Sequence, residues 1–441
     1  MDRRSFVKSL GIGAVAASTS LDKVDAAVVK PFEIVVVGGG FGGASIAKYL
    51  KLWGQSRINV TLIDSVAAHV SCILSNLVLN DQKTLANLSF NLSKVAAKNH
   101  FTFRQGSVNK IDKAGKKVFA VAPDKTVFSV AYDKLVLSPG ISFVFPTGMD
   151  PALPGATTPI PHAWKAGLQT ANLRAQLRAL PSDGSAVVVM TIPKAPYRCP
   201  PGPYERACLI ADFMKRTKNG GKLIVFDANP GILAEPINFG KAFTQLYHNI
   251  VEYVPNHAVV NVSGTTQFAT KSITVTNGTF SRSETCHLLN VIPNQIAPKL
   301  LFDAGLIDKV NGKQWAGVHL DTYQSLFNPH IYVIGDAHDS NQPKAGHIAN
   351  SEAKVCADAL LRALGLLPPR VMPDEAPVTN SACYSPITAT TASFLTAGYR
   401  FDPAQQLMVR IPEAFGEAET INGDNYKTML AWANNLFADV F

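Results

Sequence analysis

The stretch Ile34-Val35-Val36-Val37-Gly38-Gly39-Gly40-Phe41-Gly42-Gly43 decides the fold class. Its apolar β-branched run is typical of a buried strand, and it stops at a glycine turn that a helical stretch, Ala44 to Leu52, follows. Gly38, Gly40 and Gly43 stand at the GxGxxG spacing of a dinucleotide-binding βαβ unit. In such a unit the glycines permit the tight turn, the approach of a pyrophosphate and close packing of the helix on the strand. A pyrophosphate would then lie at the N-terminus of the helix, where free N–H groups favour negative charge.

A second apolar run, Ile58 to Ile63, ends in Asp64, about 20 residues after Gly43. An acidic side chain at this place accepts hydrogen bonds from ribose hydroxyls, so the two strands, the turn and Asp64 together predict a dinucleotide site. The next predicted strand, Phe101 to Val108, ends in Val108, which we take as a further candidate for cofactor contact. The motif by itself does not distinguish FAD from NAD.

Length and composition predict a globular protein of two or three domains. The chain has 441 residues, of which 47% are hydrophobic and 17% charged. The net charge is +9, but no basic run is interleaved with aromatic residues, so we do not expect nucleic-acid binding. No apolar stretch reaches the roughly 18 residues of a membrane span. The six cysteines form no CxxC motif, which excludes a c-type haem on this chain, so any haem in the system must lie on another chain.

The first residues predict export. The segment Asp2-Arg3-Arg4-Ser5-Phe6-Val7-Lys8 matches the twin-arginine pattern, and a modestly apolar segment rich in small residues follows it. We interpret residues 1–27 as a twin-arginine signal peptide. The twin-arginine route carries folded proteins, so the mature protein is expected in the periplasm with its cofactor already bound.

A second strand–turn–helix unit lies in the middle of the chain. A strand from Ser185 to Thr191 and a helix from Tyr204 to Lys218 flank the segment Ile192-Pro193-Lys194-Ala195-Pro196-Tyr197-Arg198-Cys199-Pro200-Pro201-Gly202-Pro203. Prolines supply no N–H donors and hinder the close approach of a phosphate. The unit therefore resembles a nucleotide-binding domain in topology but is predicted not to bind NAD(P).

Several motifs together resemble the flavoprotein subunit of flavocytochrome c sulfide dehydrogenase, a relative of the sulfide:quinone reductases and disulfide reductases. They are Gly38 to Gly43, Cys72-Ile73-Leu74-Ser75-Asn76, Pro161-His162-Ala163-Trp164-Lys165-Ala166-Gly167, Cys199-Pro200-Pro201-Gly202-Pro203-Tyr204-Glu205-Arg206-Ala207, Gly335-Asp336-Ala337 and Cys383-Tyr384-Ser385. The resemblance runs from about Phe32 to the C-terminus. It implies a periplasmic FAD-dependent oxidoreductase that oxidises sulfide or a related sulfur compound and passes electrons to a c-type cytochrome subunit.

The resemblance also implies the fold, which is α/β with two Rossmann-like domains of the glutathione-reductase type and a small C-terminal domain. The FAD domain is split by the central domain. The predicted segments are residues 1–27 (signal peptide), 32–155 (first part of the FAD domain), 156–280 (central domain without nucleotide fingerprint), 281–366 (second part of the FAD domain) and 367–441 (C-terminal domain covering the flavin).

Roles of single residues follow from the same resemblance. The cysteine matching Cys72 is joined through sulfur to the 8α carbon of FAD, and Gly335 and Asp336 match a second flavin contact. The cysteine matching Cys199 is expected to pair with a second redox cysteine just after the Gly-Asp-Ala motif, where this chain has His338. We therefore expect a lone Cys199 near the flavin with His338 opposite it, and both are candidate catalytic residues.

Other cysteines and functions are weighed against this expectation. Cys208 lies too far along the predicted helix to reach Cys199, and the sequence does not place Cys356 or Cys383. His338 or Lys344 would lower the pKa of a lone Cys199 thiol, which could then oxidise a different donor. Alternatively the chain is a non-catalytic flavin or electron-relay subunit of a sulfur-oxidation complex. An NAD-linked disulfide reductase ranks last, since a second GxGxxG is missing.

Overall fold

The computed structural model describes residues 30–372 and 374–441. The predicted signal peptide, residues 1–27, lies outside the described residues. No helix in these two ranges is both long and apolar enough to cross a bilayer.

The first segment of the chain contains ten strands and two helices. They are β1 (Phe32–Val37), α1 (Phe41–Gly54), β2 (Ile58–Asp64), β3 (Ala68–Val70), β4 (Ser89–Asn91), α2 (Leu92–Lys98), β5 (Thr102–Gln105), β6 (Ser107–Asp112), β7 (Lys117–Val121), β8 (Val127–Ala131), β9 (Lys134–Leu137) and β10 (Ser142–Val144). The predicted strand 101–108 is in fact two strands in different sheets. They separate at Gly106, where an added Cβ would lie 2.8 Å from the ring of Phe128.

The middle segment forms the central unit. It contains α3 (Leu168–Arg178), β11 (Val187–Ile192), α4 (Gly202–Thr217), β12 (Lys222–Asp227), α5 (Pro236–Lys241), β13 (Val251–Val254), β14 (Ala258–Ser263), β15 (Lys271–Thr276), β16 (Ser281–Cys286) and β17 (Leu288–Val291). Strands β13, β12, β11 and β17 pair in this order as a parallel sheet. Strands β14, β15 and β16 form an antiparallel sheet beside it.

The remaining segments complete the first domain and add a C-terminal unit. They contain β18 (Asn294–Ile296), α6 (Lys299–Asp303), β19 (Gln324–Ser325), β20 (Asn328–Val333), α7 (Gly346–Ala363), β21 (Val378–Pro386), β22 (Ala392–Asp402), β23 (Leu407–Glu417) and α8 (Gly423–Val440). Strands β19, β20, β9, β1, β2 and β5 form one sheet in this order, which is parallel except for the edge strand β19. The last three strands form an antiparallel meander.

The predicted α/β class with two Rossmann-like units, one splitting the other, is confirmed. The chain leaves the first unit at β10 and returns at β18, and these two strands pair with each other. The predicted return at residue 281 is too early, because β16 still pairs with β15 and β17 with β11. The return therefore falls at about Asn294. Since β1 is a central strand and is parallel to its neighbours, its glycine turn lies at the carboxyl edge of the sheet, where α/β folds bind ligands.

Candidate active site

A cleft of about 390 Å³ lies at the carboxyl edge of the first sheet. Its walls come from the turn after β1, the loop after β3, the segment before α4, the turn after β20, the start of α7, and the C-terminal unit. Most of the predicted site residues line it, namely Gly38, Gly40, Asp64, Cys72, Cys199, Gly335 and Asp336. The fold therefore brings together residues that are more than 290 positions apart in the sequence.

The glycine turn has the geometry that its sequence predicts. Gly38 has a φ of +101°, and an added Cβ would overlap the carbonyl oxygen of Ser138. Gly43 is not part of the cleft wall, but a Cβ there would overlap the carbonyl oxygen of Gly38, so it serves packing. Asp64 Oδ2 accepts a hydrogen bond of 2.5 Å from the Gly39 N–H, which joins the end of β2 to the turn. The first turn of α1 has no acidic residue, so its N-terminus is open to a phosphate.

The second predicted cofactor contact, Gly335-Asp336, follows β20 directly. Gly335 has a φ of +73°, and its N–H donates to Glu352 Oε2 at 2.6 Å. Asp336 Oδ1 is buried without a hydrogen-bond partner among the described residues, and burial raises the pKa of this carboxyl. A buried acceptor that faces a cleft fits a ligand hydroxyl, because an unpaired buried polar atom is costly. The cleft thus fits FAD at both of the contacts that the sequence predicts.

Cys72 lies in the cleft beside a positive charge. Its Sγ is 3.7 Å from the carbonyl oxygen of Trp164, which also accepts from the Arg198 guanidinium. Burial acts to lower the pKa of Arg198, but the nearby Cys72, Asp336 and Cys199 outweigh it and leave this pKa raised. Arg198 therefore remains a cation between the two cysteines, which the sequence analysis did not single out.

Cys199 occupies a constrained position at the same wall. Its φ is +59°, and its N–H donates to the Lys344 carbonyl oxygen at 2.7 Å. The pKa of its thiol is raised to about 12, by burial first and then by the nearby Glu205, against the opposing effect of Arg198. The pKa of the buried Glu205 is itself raised to about 8 by burial, while its hydrogen bond from Asn76 opposes the shift. Glu205 is therefore a neutral carboxylic acid at pH 7 beside Cys199.

His338 does not stand opposite Cys199, so this prediction is wrong. Its ring is 1% exposed and lies outside the cleft wall, where Nε2 is 3.0 Å from Glu352 Oε1 and Nδ1 is 2.8 Å from the Asp339 carbonyl oxygen. The residue after the Gly-Asp-Ala turn points into the first domain, since its side chain packs against the Tyr323 ring at 5.3 Å. The Lys344 ammonium is equally occupied, donating to the main-chain oxygens of Asp336 and His338.

Val108 is also not a cleft residue. It lies in β6, is half-buried, and pairs with Ala120 of β7 in the separate antiparallel sheet. Because the strand breaks at Gly106, the residues after it leave the cofactor sheet.

The residue that shares the cleft with Cys199 is Cys383, on β21 of the C-terminal unit. Both are free thiols in the structure. The pKa of the Cys383 thiol is raised well above its usual value, by burial first and then by the nearby Cys199. Its Sγ is 3.8 Å from His347 Nε2. The sequence did not place this cysteine, although Cys383-Tyr384-Ser385 was one of the motifs that carried the family resemblance.

The corresponding turn of the central unit is closed. Asp227, at the end of β12, is fully buried, and its Oδ2 accepts hydrogen bonds of 2.7 Å from the hydroxyls of Tyr204 and Tyr253. Its Oδ1 accepts from the backbone N–H and the side chain of Asn229, whose side chain also donates to the Pro193 carbonyl oxygen. The carboxylate that would bind a ribose in a nucleotide-binding unit is thus satisfied internally.

Comparisons with known proteins agree with this geometry. Residues 32–189 match the model of the pyridine nucleotide-disulphide oxidoreductases. Residues 170–293 match the model described as sulfide dehydrogenase [flavocytochrome c] flavoprotein chain, central. Over 45 residues, 10% of this chain, the sequence is 58% identical to the sulfide dehydrogenase [flavocytochrome c] flavoprotein chain of Chlorobaculum thiosulfatiphilum, of which the match covers 92%.

Solved structures show the same fold at low sequence identity. The sulfide:quinone oxidoreductase of Aquifex aeolicus superposes with a TM-score of 0.73 at 15% identity, covering 93% of this chain and 91% of that chain. NDH2 of Plasmodium falciparum, solved in complex with NADH, gives a TM-score of 0.67 at 11% identity, covering 93% and 98%. Fold, site and sequence similarity converge, and the chain belongs to the family of the sulfide dehydrogenase (flavocytochrome c) flavoprotein chain.

Proposed function

We propose that this chain is an FAD-dependent oxidoreductase that oxidises sulfide or a related reduced sulfur compound and passes the electrons to a c-type cytochrome. The observation that carries this proposal is the presence of Cys199 and Cys383 in one cleft with both predicted flavin contacts. Two cysteines in such a cleft can close to a disulfide, which is the oxidant that a sulfur nucleophile attacks. A lone Cys199, the earlier expectation, would have no such route.

The cleft residues would hold FAD at three places. The Gly38–Gly43 turn and Asp64 would hold the pyrophosphate and ribose, the Gly335-Asp336 turn would accept from a hydroxyl of the cofactor, and Cys72 would bond to the 8α carbon through sulfur. FAD supplies an acceptor for an electron pair that can release the electrons one at a time.

The chain's own residues would handle sulfur and protons. Hydrosulfide attacks one sulfur of the Cys199–Cys383 disulfide, a new S–S bond forms, and the other cysteine leaves as a thiolate. The Arg198 guanidinium lies near Cys199 and favours the thiolate there, since an adjacent cation lowers the free energy of a thiolate. Glu205, protonated at pH 7, can donate its proton to a sulfur anion at the same wall.

The electron acceptor is proposed to be a one-electron carrier. The closed central turn, with Asp227 bonded to two tyrosines, argues against a nicotinamide. From the cleft an aromatic row leads into the C-terminal unit, where Trp432 and Tyr384 have centroids 5.4 Å apart and Tyr384 and Phe394 have centroids 5.6 Å apart. This row supports docking of a cytochrome at the C-terminal unit. The twin-arginine pattern supports a periplasmic location.

An anaerobic sulfide titration of the purified protein, followed by flavin absorbance, tests the proposal. We expect sulfide to bleach the wild type, NADH to leave it unchanged, and Cys199→Ser and Cys383→Ser each to abolish bleaching by sulfide but not by dithionite. Cys208→Ala is the matched control, because this thiol is also buried but is not part of the cleft wall. Bleaching of both Ser variants at the wild-type rate would refute the site. A wild type that only dithionite bleaches would favour another donor or a relay subunit.

The covalent bond and the acceptor are tested separately. After acid precipitation we expect the flavin to stay with the wild-type protein and to appear in the supernatant of Cys72→Ala. Flavin released from the wild type would contradict the bond. Reduction of a c-type cytochrome by the sulfide-treated protein checks the acceptor.

A further inference from the structure

The buried face of β21 is polar. Side chains alternate along a strand, and the four that point inward from this one are Thr379, Ser381, Cys383 and Ser385. Each meets a polar side chain of another element, because Gln342 donates to Thr379, His347 lies against both Ser381 and Cys383, and Ser385 donates to Glu235. Burying such groups is costly without partners, so this face is built for polar contacts and not for core packing alone.

His347 is the partner that reaches the redox cysteine. It lies in the first turn of α7 and lines the cleft. Its Nε2 is 2.9 Å from Ser381 Oγ and 3.8 Å from Cys383 Sγ, and its ring meets Trp432 edge-on at 5.7 Å. The serine and the aromatic ring fix the imidazole from two sides, so one ring nitrogen is held at the sulfur atom.

The imidazole is neutral at the pH where the protein works. Burial lowers the pKa of His347 to about 4, so at pH 6 to 8 one ring nitrogen carries a lone pair. The titratable groups facing Cys383 from the other elements are Cys199, Glu235 and Glu205. Burial raises the pKa of both carboxyls, to about 7 for Glu235 and about 8 for Glu205, so neither is a strong base in this range. His347 is the base placed at Cys383.

We propose that His347, positioned by Ser381, is the general base that delivers the sulfur nucleophile to Cys383. This rests on the proposed function of the Cys199–Cys383 pair. As the sulfur of hydrogen sulfide bonds to Cys383 Sγ, its proton passes to His347 Nε2 and the bond between the two cysteines breaks. The electron pair of that bond stays on Cys199, so the products are a Cys383 persulfide, a Cys199 thiolate and an imidazolium. The guanidinium of Arg198, near Cys199, stabilises the thiolate that leaves.

The test combines the site of the persulfide with a pH profile. Oxidised wild type is mixed anaerobically with sulfide, quenched with iodoacetamide and digested, and mass spectrometry assigns the persulfide. We expect it on Cys383. In His347→Gln, whose amide keeps a hydrogen bond but is no base, we expect its formation to slow about 100-fold at pH 6 and to approach the wild-type rate at pH 9. There hydrosulfide needs no base. His257→Gln, outside the cleft, is the control.

The outcomes separate this inference from the proposed function. A persulfide on neither cysteine of the wild type would refute the proposed function. A persulfide on Cys199, or a loss in His347→Gln that is the same at pH 6 and pH 9, would refute the base while leaving the redox pair intact. Ser381→Ala keeps the imidazole and loses its positioning hydroxyl, so it should show the same pH-dependent loss at about a tenth of the size. This variant decides the question if His347→Gln does not fold.

Discussion

The two Rossmann-like units begin with the same strand–turn–helix but differ in what fills the turn. From β1 to α1 the chain passes through glycines, and the backbone is bare toward the cleft. From β11 to α4 it passes through a longer segment that contains Pro193, Pro196, Pro200 and Pro201. One unit therefore presents N–H groups to a ligand, while the other lacks donors at these positions.

The helix ends and strand ends differ in the same sense. The first turn of α1 has no acidic residue, whereas that of α4 carries the buried Glu205 at the place where a phosphate would be favoured. Asp64 is half-buried and faces the cleft, but Asp227 is fully buried between two tyrosines. A Rossmann topology thus provides a place for a nucleotide, and the side chains at the turn decide whether that place is open.

Gly43→Ala should break the open turn and give the largest effect. The new Cβ would overlap the Gly38 carbonyl oxygen, which is backbone and cannot move aside without distorting the strand. We expect the free energy of unfolding to fall by about 3–5 kcal/mol and the flavin content to fall with it. Thermal unfolding and the ratio of flavin to protein absorbance measure both. Gly240→Ala in α5, where no atom lies within 4 Å of the new Cβ, should leave both unchanged.

Glu205→Gln should remove a pH dependence that the occupied α4 terminus creates. Burial raises the pKa of Glu205 from 4.5 to about 8, so the folded protein holds a proton that the unfolded chain releases in this window. The unfolding free energy of the wild type therefore falls as pH rises from 4.5 to 8, by at most about 1.4 kcal/mol per pH unit from this group.

We expect Glu205→Gln to be more stable than the wild type by about 2–3 kcal/mol at pH 8, and to lose this advantage at pH 5. Denaturant unfolding at the two pH values checks this. Glu284→Gln, at a partly exposed ion pair, should follow the wild type at both. An equal difference at pH 5 and pH 8 would mean that the carboxyl does not titrate in this window.

Asp227→Asn and Asp64→Asn form a matched pair at the two strand ends. Asp227→Asn leaves a buried tyrosine hydroxyl without its acceptor, so we expect a loss of about 2 kcal/mol in unfolding free energy with little change in flavin content. Asp64→Asn should do the reverse, lowering flavin content more than the stability of the apoprotein. Equal effects of the two substitutions on flavin content would contradict the distinction between an open and a closed unit.

Tyr253→Phe should give the smallest effect. It removes one of the two hydroxyls that donate to Asp227 Oδ2, while Tyr204 keeps the other. We expect a loss of about 1 kcal/mol, measured by urea unfolding. The variant should still not oxidise NADH, since the prolines of the turn remain. NADH oxidation would show that Asp227 alone closes the site.

Some parts of the site could be predicted because their conformation is local. The glycine turn with Asp64, the flavin turn at Gly335-Asp336, and the proline segment before α4 all lie where the sequence placed them. Glycine and proline restrict the backbone at their own positions, so these predictions need no knowledge of distant contacts. Cys72 and Cys199 belong to the same class, since each is carried by a motif beside such a turn.

Other parts depended on packing between distant segments. His338 follows the flavin turn directly, yet its side chain turns to Glu352 of α7, and Val108 leaves the cofactor sheet because the strand breaks at Gly106. Neither event leaves a pattern in the neighbouring residues. Cys383 reaches Cys199 only because the C-terminal meander closes over the cleft, 184 positions farther along the chain.

The sequence by itself determined the two strand–turn–helix units, which of them is open to a dinucleotide, and the family to which the motifs belong. These follow from backbone preferences and side-chain chemistry within a few residues. Only the tertiary structure decided that Cys383, and not His338, shares the cleft with Cys199, and that His347 and Arg198 flank the pair. Which side chains meet depends on how the C-terminal unit packs on the first domain, and that packing is a sum of many weak contacts between residues far apart in the chain.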